Sequence, residues 1–193
     1  MISEKSGTPL RTPMASIFSH AIAASALGAV NYPKKDVAKY LALGVFCAAF
    51  PDIDVLAFKL GIPYEHPFGH RGFFHSLLFA YLQGLFIVRV FYSNLAFATR
   101  ASMTIGFYFF CCGVSHSLLD AMTNGGLGVA FFAPFDNARY FLPWRPIEVS
   151  PVEIKSFFGH WGIRVLKSEL YYIMVPSLLL VLGSFGIRKL RTK

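Results

Sequence analysis

Residues 69–75 read GHRGFFH and hold two histidines and an arginine, and five more histidines and aspartates stand at comparable places along the chain. His20 lies early in the first apolar run, Asp52 and Asp54 sit in a PDID turn after the second, His75 opens the third, and His116 and Asp120 close the fourth. Imidazole and carboxylate side chains together suit a divalent cation, zinc first, with manganese or iron as alternatives. His116 and Asp120 are spaced i, i+4, so on a helix they share one face and can grip one ion together. Two ions bridged by a carboxylate form the arrangement that activates water and clamps a phosphoryl or acyl oxygen. One or two ions are therefore expected.

Each residue also has a plainer reading. His20 could bond a neighbouring helix, PDID could be an Asp-capped turn, and Arg71 could be an interfacial anchor. His66 and His160 lie in polar stretches and read as solvated. Convergence decides for function: of ten acidic residues, three sit at the edges of apolar runs, each with a histidine to face across the bundle.

The elements that must position these groups follow from composition. Hydrophobic residues make up 55% of the chain, mean hydropathy is +0.52 and only 15% of residues are charged, against roughly a quarter in soluble domains. That is a membrane composition. The net charge of +8 is spread over basic clusters between apolar runs, as anchors are, and no segment interleaves Lys or Arg with aromatics as a nucleic-acid surface would. Cys47, Cys111 and Cys112 all lie inside apolar runs without C-x-x-C spacing and read as packing.

The expected fold is all-α: a polytopic membrane bundle of about four to five transmembrane helices with an interfacial cap loop, forming one domain over residues 1–193. After a polar tail over 1–13, apolar runs over 14–30, 37–50, 73–92 and 101–122 give a four-helix core carrying the metal site within 14–122. The first is taken as a retained helix rather than a cleaved signal, since His20 stands where a signal core would want leucine. Residues 55–72 hold Gly61, Pro63, Pro67, Gly69 and Gly72 and read as an irregular loop. Residues 123–169, rich in aromatics and proline, form the cap at headgroup level, with Phe141, Trp144 and Phe158 as interface packing. A last helix with a basic tail, interrupted by Pro176, occupies 170–193. Antiparallel connection then places helix starts one and three beside helix ends two and four. All seven His and Asp candidates fall on one membrane side.

The segments PDID (51–54), GHRGFFHSLL (69–78) and SHSLLDAMTNGG (115–126) closely resemble the YdjM-like family of bacterial inner-membrane proteins described as membrane-bound metal-dependent hydrolases. The resemblance implies that His20, Asp52, Asp54, His70, His75, His116 and Asp120 form the metal set. The site pattern is also similar to that of zinc-dependent phospholipase C and P1-type nucleases, with Asp54, His75, His116 and Asp120 in the matching parts. That group's further H-x-x-x-E pair has no counterpart here, which leaves one or two ions.

The reading that results is an integral-membrane metal-dependent hydrolase of the bacterial inner membrane, acting on a phosphoester of a lipid or lipid-linked molecule. Asp54, His75, His116 and Asp120 hold the metal, and His20 and Asp52 complete a second site or support the first. Arg71, or Arg139 or Arg145 of the cap, stabilises developing negative charge, and His70 is a ligand or the general acid. The alternatives are a transporter or metal- and proton-handling protein, because intramembrane Asp and His also mark ion paths, or a non-catalytic membrane factor. Lys34, Lys35, Lys39, Arg89, Arg100, Arg188, Lys189, Arg191 and Lys193 lie in short segments opposite the site. The positive-inside rule then puts the C-terminus in the cytoplasm and the site outward.

Overall fold

A computed structural model describes residues 15–31, 33, 35–149 and 159–191. The expected polar tail, the Met14 start of the first helix and Phe158 lie outside the described residues.

Helix α1 (Ile17–Val30) starts where Ser16 accepts a hydrogen bond from the Ser19 amide, a side-chain N-cap that the sequence supplies directly before the apolar run. Helix α2 (Val37–Ala49) runs into a 3-10 turn, Phe50–Val55, where Pro51 lacks the amide needed to continue the α ladder and fits the first turn of the new element. After the four-residue α3 (Leu56–Lys59) come the glycine- and proline-rich turns of the expected loop. A second 3-10 turn, Phe73–His75, precedes α4 (Leu77–Phe91), which Ser76 caps. Helix α5 (Arg100–Ala121), capped by Thr99, is the longest of these, at 22 residues.

The last helix differs from expectation. It begins as α6 (His160–Glu169), inside the stretch assigned to the cap, and continues through a π segment, Leu170–Met174, into α7 (Val175–Arg191). HWGIRVLKSE is amphipathic rather than irregular: Gly162, Val165, Ser168 and Glu169 are buried while Ile163, Arg164 and Lys167 are exposed. Pro176 is tolerated because the widened π turn lies directly before it, where a proline ring would otherwise crowd the preceding turn. Among the described residues the cap proper is non-helical, and it pairs only at isolated bridges, Thr123 with Ile147 and Val129 with Tyr140.

Among the described residues the fold is all-helical, and two helices are long and apolar enough to cross a membrane: Arg100–Ala121 and the continuous His160–Leu190. Ile17–Val30 and Leu77–Phe91 are apolar but, at 14 and 15 residues, short of the roughly 20 that a perpendicular span needs. Large apolar side chains face outward on several helices, including Phe86, Phe107, Leu179 and Leu182.

The core lies between α1, α2, α4 and α5. Tyr40 and Tyr108 stack at 4.0 Å between ring centroids, and the Tyr108 hydroxyl donates to the Ala24 carbonyl at 3.2 Å. Gly44 is required there, because a Cβ would stand 1.9 Å from that hydroxyl oxygen. This packing closes the bundle at the end away from the PDID turn and leaves the helix ends near the turn to carry the polar cluster.

Candidate metal centre

The PDID turn, the GHRGFFH loop, the start of α1 and the end of α5 meet as the antiparallel reading requires. Four donor atoms converge. His75 Nε2 lies 2.9 Å from His116 Nε2, and 3.3 and 3.8 Å from Asp120 Oδ2 and Asp52 Oδ1. His116 Nε2 lies 3.5 Å from Asp52 Oδ1 and 3.7 Å from Asp120 Oδ2. These four residues form one group able to hold an ion, with donor atoms all within 4.8 Å of one another. Asp54, His70 and His75 form a second such group.

Each imidazole is held from behind. His116 Nδ1 donates to the Ala48 carbonyl at 2.6 Å, which puts its proton on that nitrogen and turns the Nε2 lone pair to the centre. His75 Nδ1 is 3.0 Å from Asp54 Oδ2, so His75 likewise presents Nε2. Two imidazole lone pairs facing each other at hydrogen-bond distance need a cation between them or a proton on one. Burial alone would lower the His75 pKa, but Asp54 and Asp120 outweigh it and raise the value to about 9. A divalent ion fits where that proton sits, and metal and proton compete for one nitrogen. Burial would raise Asp54, yet the charge of His75 and hydrogen bonds from His70 and His75 hold its carboxyl well below the usual range.

Asp120 is the most heavily braced of the four residues. Arg71 Nε donates to Oδ2 at 3.1 Å and the Ala15 amide donates to Oδ1 at 3.2 Å. The other Arg71 donors go to Thr123 Oγ1 and the Gly125 carbonyl, each at 3.1 Å, and the side chain is fully buried. The expectation that Arg71 faces substrate thus meets a different placement. Its backbone takes a left-handed φ of 60°, which turns the side chain inward, and its amide donates to Asp54 Oδ2 at 3.0 Å. Gly69 makes the bend possible, since a Cβ there would stand 2.3 Å from the Pro63 carbonyl oxygen.

His70 is also fully buried, its Nδ1 2.7 Å from Asp54 Oδ1, behind His75 rather than beside the four converging atoms. His20 stacks on His116 at 3.9 Å between centroids, and its Nε2 is 3.8 Å from Asp120 Oδ1. Neither His20 nitrogen has a hydrogen-bond partner among the described residues, so His20 borders the centre without joining the four-atom group. Asp52 is its open edge, with a side chain 15% exposed. Arg139 clamps the loop by donating to the carbonyls of His70 and Tyr64, both at 2.7 Å, while Arg145 is exposed and lies over the Phe141 ring. His66 and His160 are exposed, as expected of solvated side chains.

The chain matches the family model described as YdjM inner membrane protein over residues 14–191. It belongs to that family of inner membrane proteins. It is also similar to the inner membrane protein YbcI of Escherichia coli (strain K12), at 37% identity over 169 residues, covering 87% of this chain and 95% of that protein. No solved structure matches. Membership agrees with the resemblance carried by PDID, GHRGFFHSLL and SHSLLDAMTNGG, and with location in the inner membrane.

Sequence reasoning missed Glu169. It is fully buried and takes both the Ser16 amide, at 2.6 Å, and the Ser16 hydroxyl, at 2.7 Å, so the last helix fixes the start of α1 next to Asp120. Its signal was available: Glu169 directly precedes the apolar run at Leu170, the same edge position that singled out the aspartates. Thr123 and Ser117 were missed too. The Ser117 hydroxyl holds the His75 carbonyl at 2.7 Å.

Proposed function

We propose that the protein is an integral-membrane metal-dependent hydrolase acting on a phosphoester of a lipid or lipid-linked molecule. The observation that carries this reading is the convergence of two imidazole nitrogens and two carboxylate oxygens, with His75, His116 and Asp120 held from outside and Asp52 partly exposed at one edge. The mixed nitrogen and oxygen donor set fits zinc, with manganese or iron as alternatives, and a divalent ion there would polarise water and a phosphoryl oxygen.

The chain's own residues do the rest. Asp54 and the Ala48 carbonyl orient His75 and His116, while Arg71 and the Ala15 amide fix Asp120, so three of the four donor groups are held in place. His20, buried with unpartnered nitrogens beside Asp120, donates a hydrogen bond to a substrate oxygen. Exposed Ile53, between the two aspartates, and exposed Leu56 and Leu60 beyond them supply an apolar approach, which suits a substrate with a lipid tail. Transport is less well supported, since the far end of the bundle is closed by Tyr40, Tyr108, Phe109 and Ile87. In this reading α1, α2 and α4 cross with α5 and the last helix, giving five spans, with the C-terminus cytoplasmic and the site outward.

The test is turnover of phosphodiester and lipid-phosphate substrates by the protein reconstituted in vesicles, with His116→Ala and Asp120→Asn alongside. Loss of turnover in both variants and on chelation is expected. Full activity in both would sink the site. A reporter fused after Lys193 should be active on the cytoplasmic side, and activity only on the outer side would reverse the orientation.

A further inference from the structure

We infer that the centre is built for one divalent ion, ligated by Asp52, His75, His116 and Asp120, and that Asp54 and His70 are positioning residues that hold His75 from behind. The inference rests on the reading of the cluster as a metal site and concerns how many ions it takes. Two overlapping groups could each hold an ion, and they share His75.

Three observations separate them. The Asp54 carboxylate already takes two hydrogen bonds, from the Arg71 amide at 3.0 Å and from His70 Nδ1 at 2.7 Å, and His75 Nδ1 lies 3.0 Å away. A carboxylate so occupied is a hydrogen-bond acceptor in place, whereas Asp52 Oδ1 is buried without a hydrogen-bond partner among the described residues. Second, a neutral imidazole offers one lone pair. For an ion among Asp54, His70 and His75 as well as one at the first group, His75 would have to shed both ring protons and bridge as an imidazolate. Third, Asp52, Asp54 and Asp120 carry three negative charges against the one positive charge of Arg71, and the histidines are neutral when they ligate. One divalent ion cancels the remaining two charges. A second, even with His75 as an imidazolate, would leave an uncompensated positive charge in a cluster where His70, Arg71, His75, His116 and Asp120 have no exposed surface, which is costly.

In this arrangement Asp54 is the carboxylate of a carboxylate–histidine–metal chain, and His70 keeps that carboxylate in place. The experiment is a cobalt(II) titration of the full chain in detergent, following visible absorption and bound metal per chain. The wild type should bind one ion. Asp54→Asn should still bind one, about 10 to 100 times more weakly, with the absorption band unchanged because no ligand is lost. Asp52→Asn should shift the band. His70→Asn is the second variant should Asp54→Asn fold poorly, and it too should keep the band. Two ions per wild-type chain, one of them lost in Asp54→Asn, would overturn the single-ion inference and leave the metal site standing. No bound ion in the wild type would overturn both. A band shifted by Asp54→Asn would make Asp54 a ligand and refute its positioning role.

Discussion

Replacing Arg71 with methionine removes three buried donors while keeping most of the side chain's length. In the native protein those donors serve Asp120 Oδ2, Thr123 Oγ1 and the Gly125 carbonyl, and neither Arg71 nor Asp120 has exposed surface. Removing one partner of a buried ion pair costs about 3–5 kcal/mol, since the other charge stays buried without compensation. In a chain of this size each kcal/mol moves the melting temperature by about 2–4 °C, so Arg71→Met should melt about 6–20 °C below wild type in detergent. A divalent cation gives Asp120 another counter-charge. Added zinc should therefore recover part of the loss in the variant, and chelator should widen the gap. Arg71→Lys keeps the charge without the guanidinium fork and should fall between the two. A melting curve for Arg71→Met within about 2 °C of wild type in chelator would refute the reasoning, because it would mean that Asp120 needs no buried cation.

Three further outcomes are expected. Gly44→Ala drives a Cβ to 1.9 Å from Tyr108 Oη and should destabilise the bundle by about 1–3 kcal/mol, with Tyr108→Leu in the same chain recovering part of it; thermal unfolding of the single and double variants checks this. Glu169→Gln should lower stability by about 1–2 kcal/mol and weaken metal binding, because its carboxylate fixes Ser16 next to the amide that holds Asp120; unfolding and metal titration are read together. Gly69→Ala meets the backbone oxygens of Pro63 and Tyr64 at 2.3 and 2.5 Å, so the loop must shift and metal affinity should fall although no ligand is touched, as a competition titration would show.

Much of this arrangement was legible in the chain. Apolar runs ended by His and Asp, joined in antiparallel order, were enough to predict that His20, Asp52, Asp54, His70, His75, His116 and Asp120 meet on one side. What stayed hidden depends on side-chain direction. Arg71 sits between Gly69 and Gly72 in a loop and reads as an outward cation, yet a left-handed backbone turns it inward to Asp120. Which carboxylate would face the centre and which would brace a ring was equally closed to spacing, because both aspartates of PDID lie in one 3-10 turn and point differently. The start of the last helix at His160 was obscured by the aromatic and proline-rich stretch before it, though the burial of Val165, Ser168 and Glu169 shows a helical period in hindsight.

The most direct test of the centre is X-ray absorption at the metal edge of the purified, zinc-loaded protein. The structure predicts two imidazole nitrogens and two carboxylate oxygens around the ion, with one imidazole lost in His116→Ala. Sulfur among the scatterers, or a spectrum unchanged by His116→Ala, would contradict it.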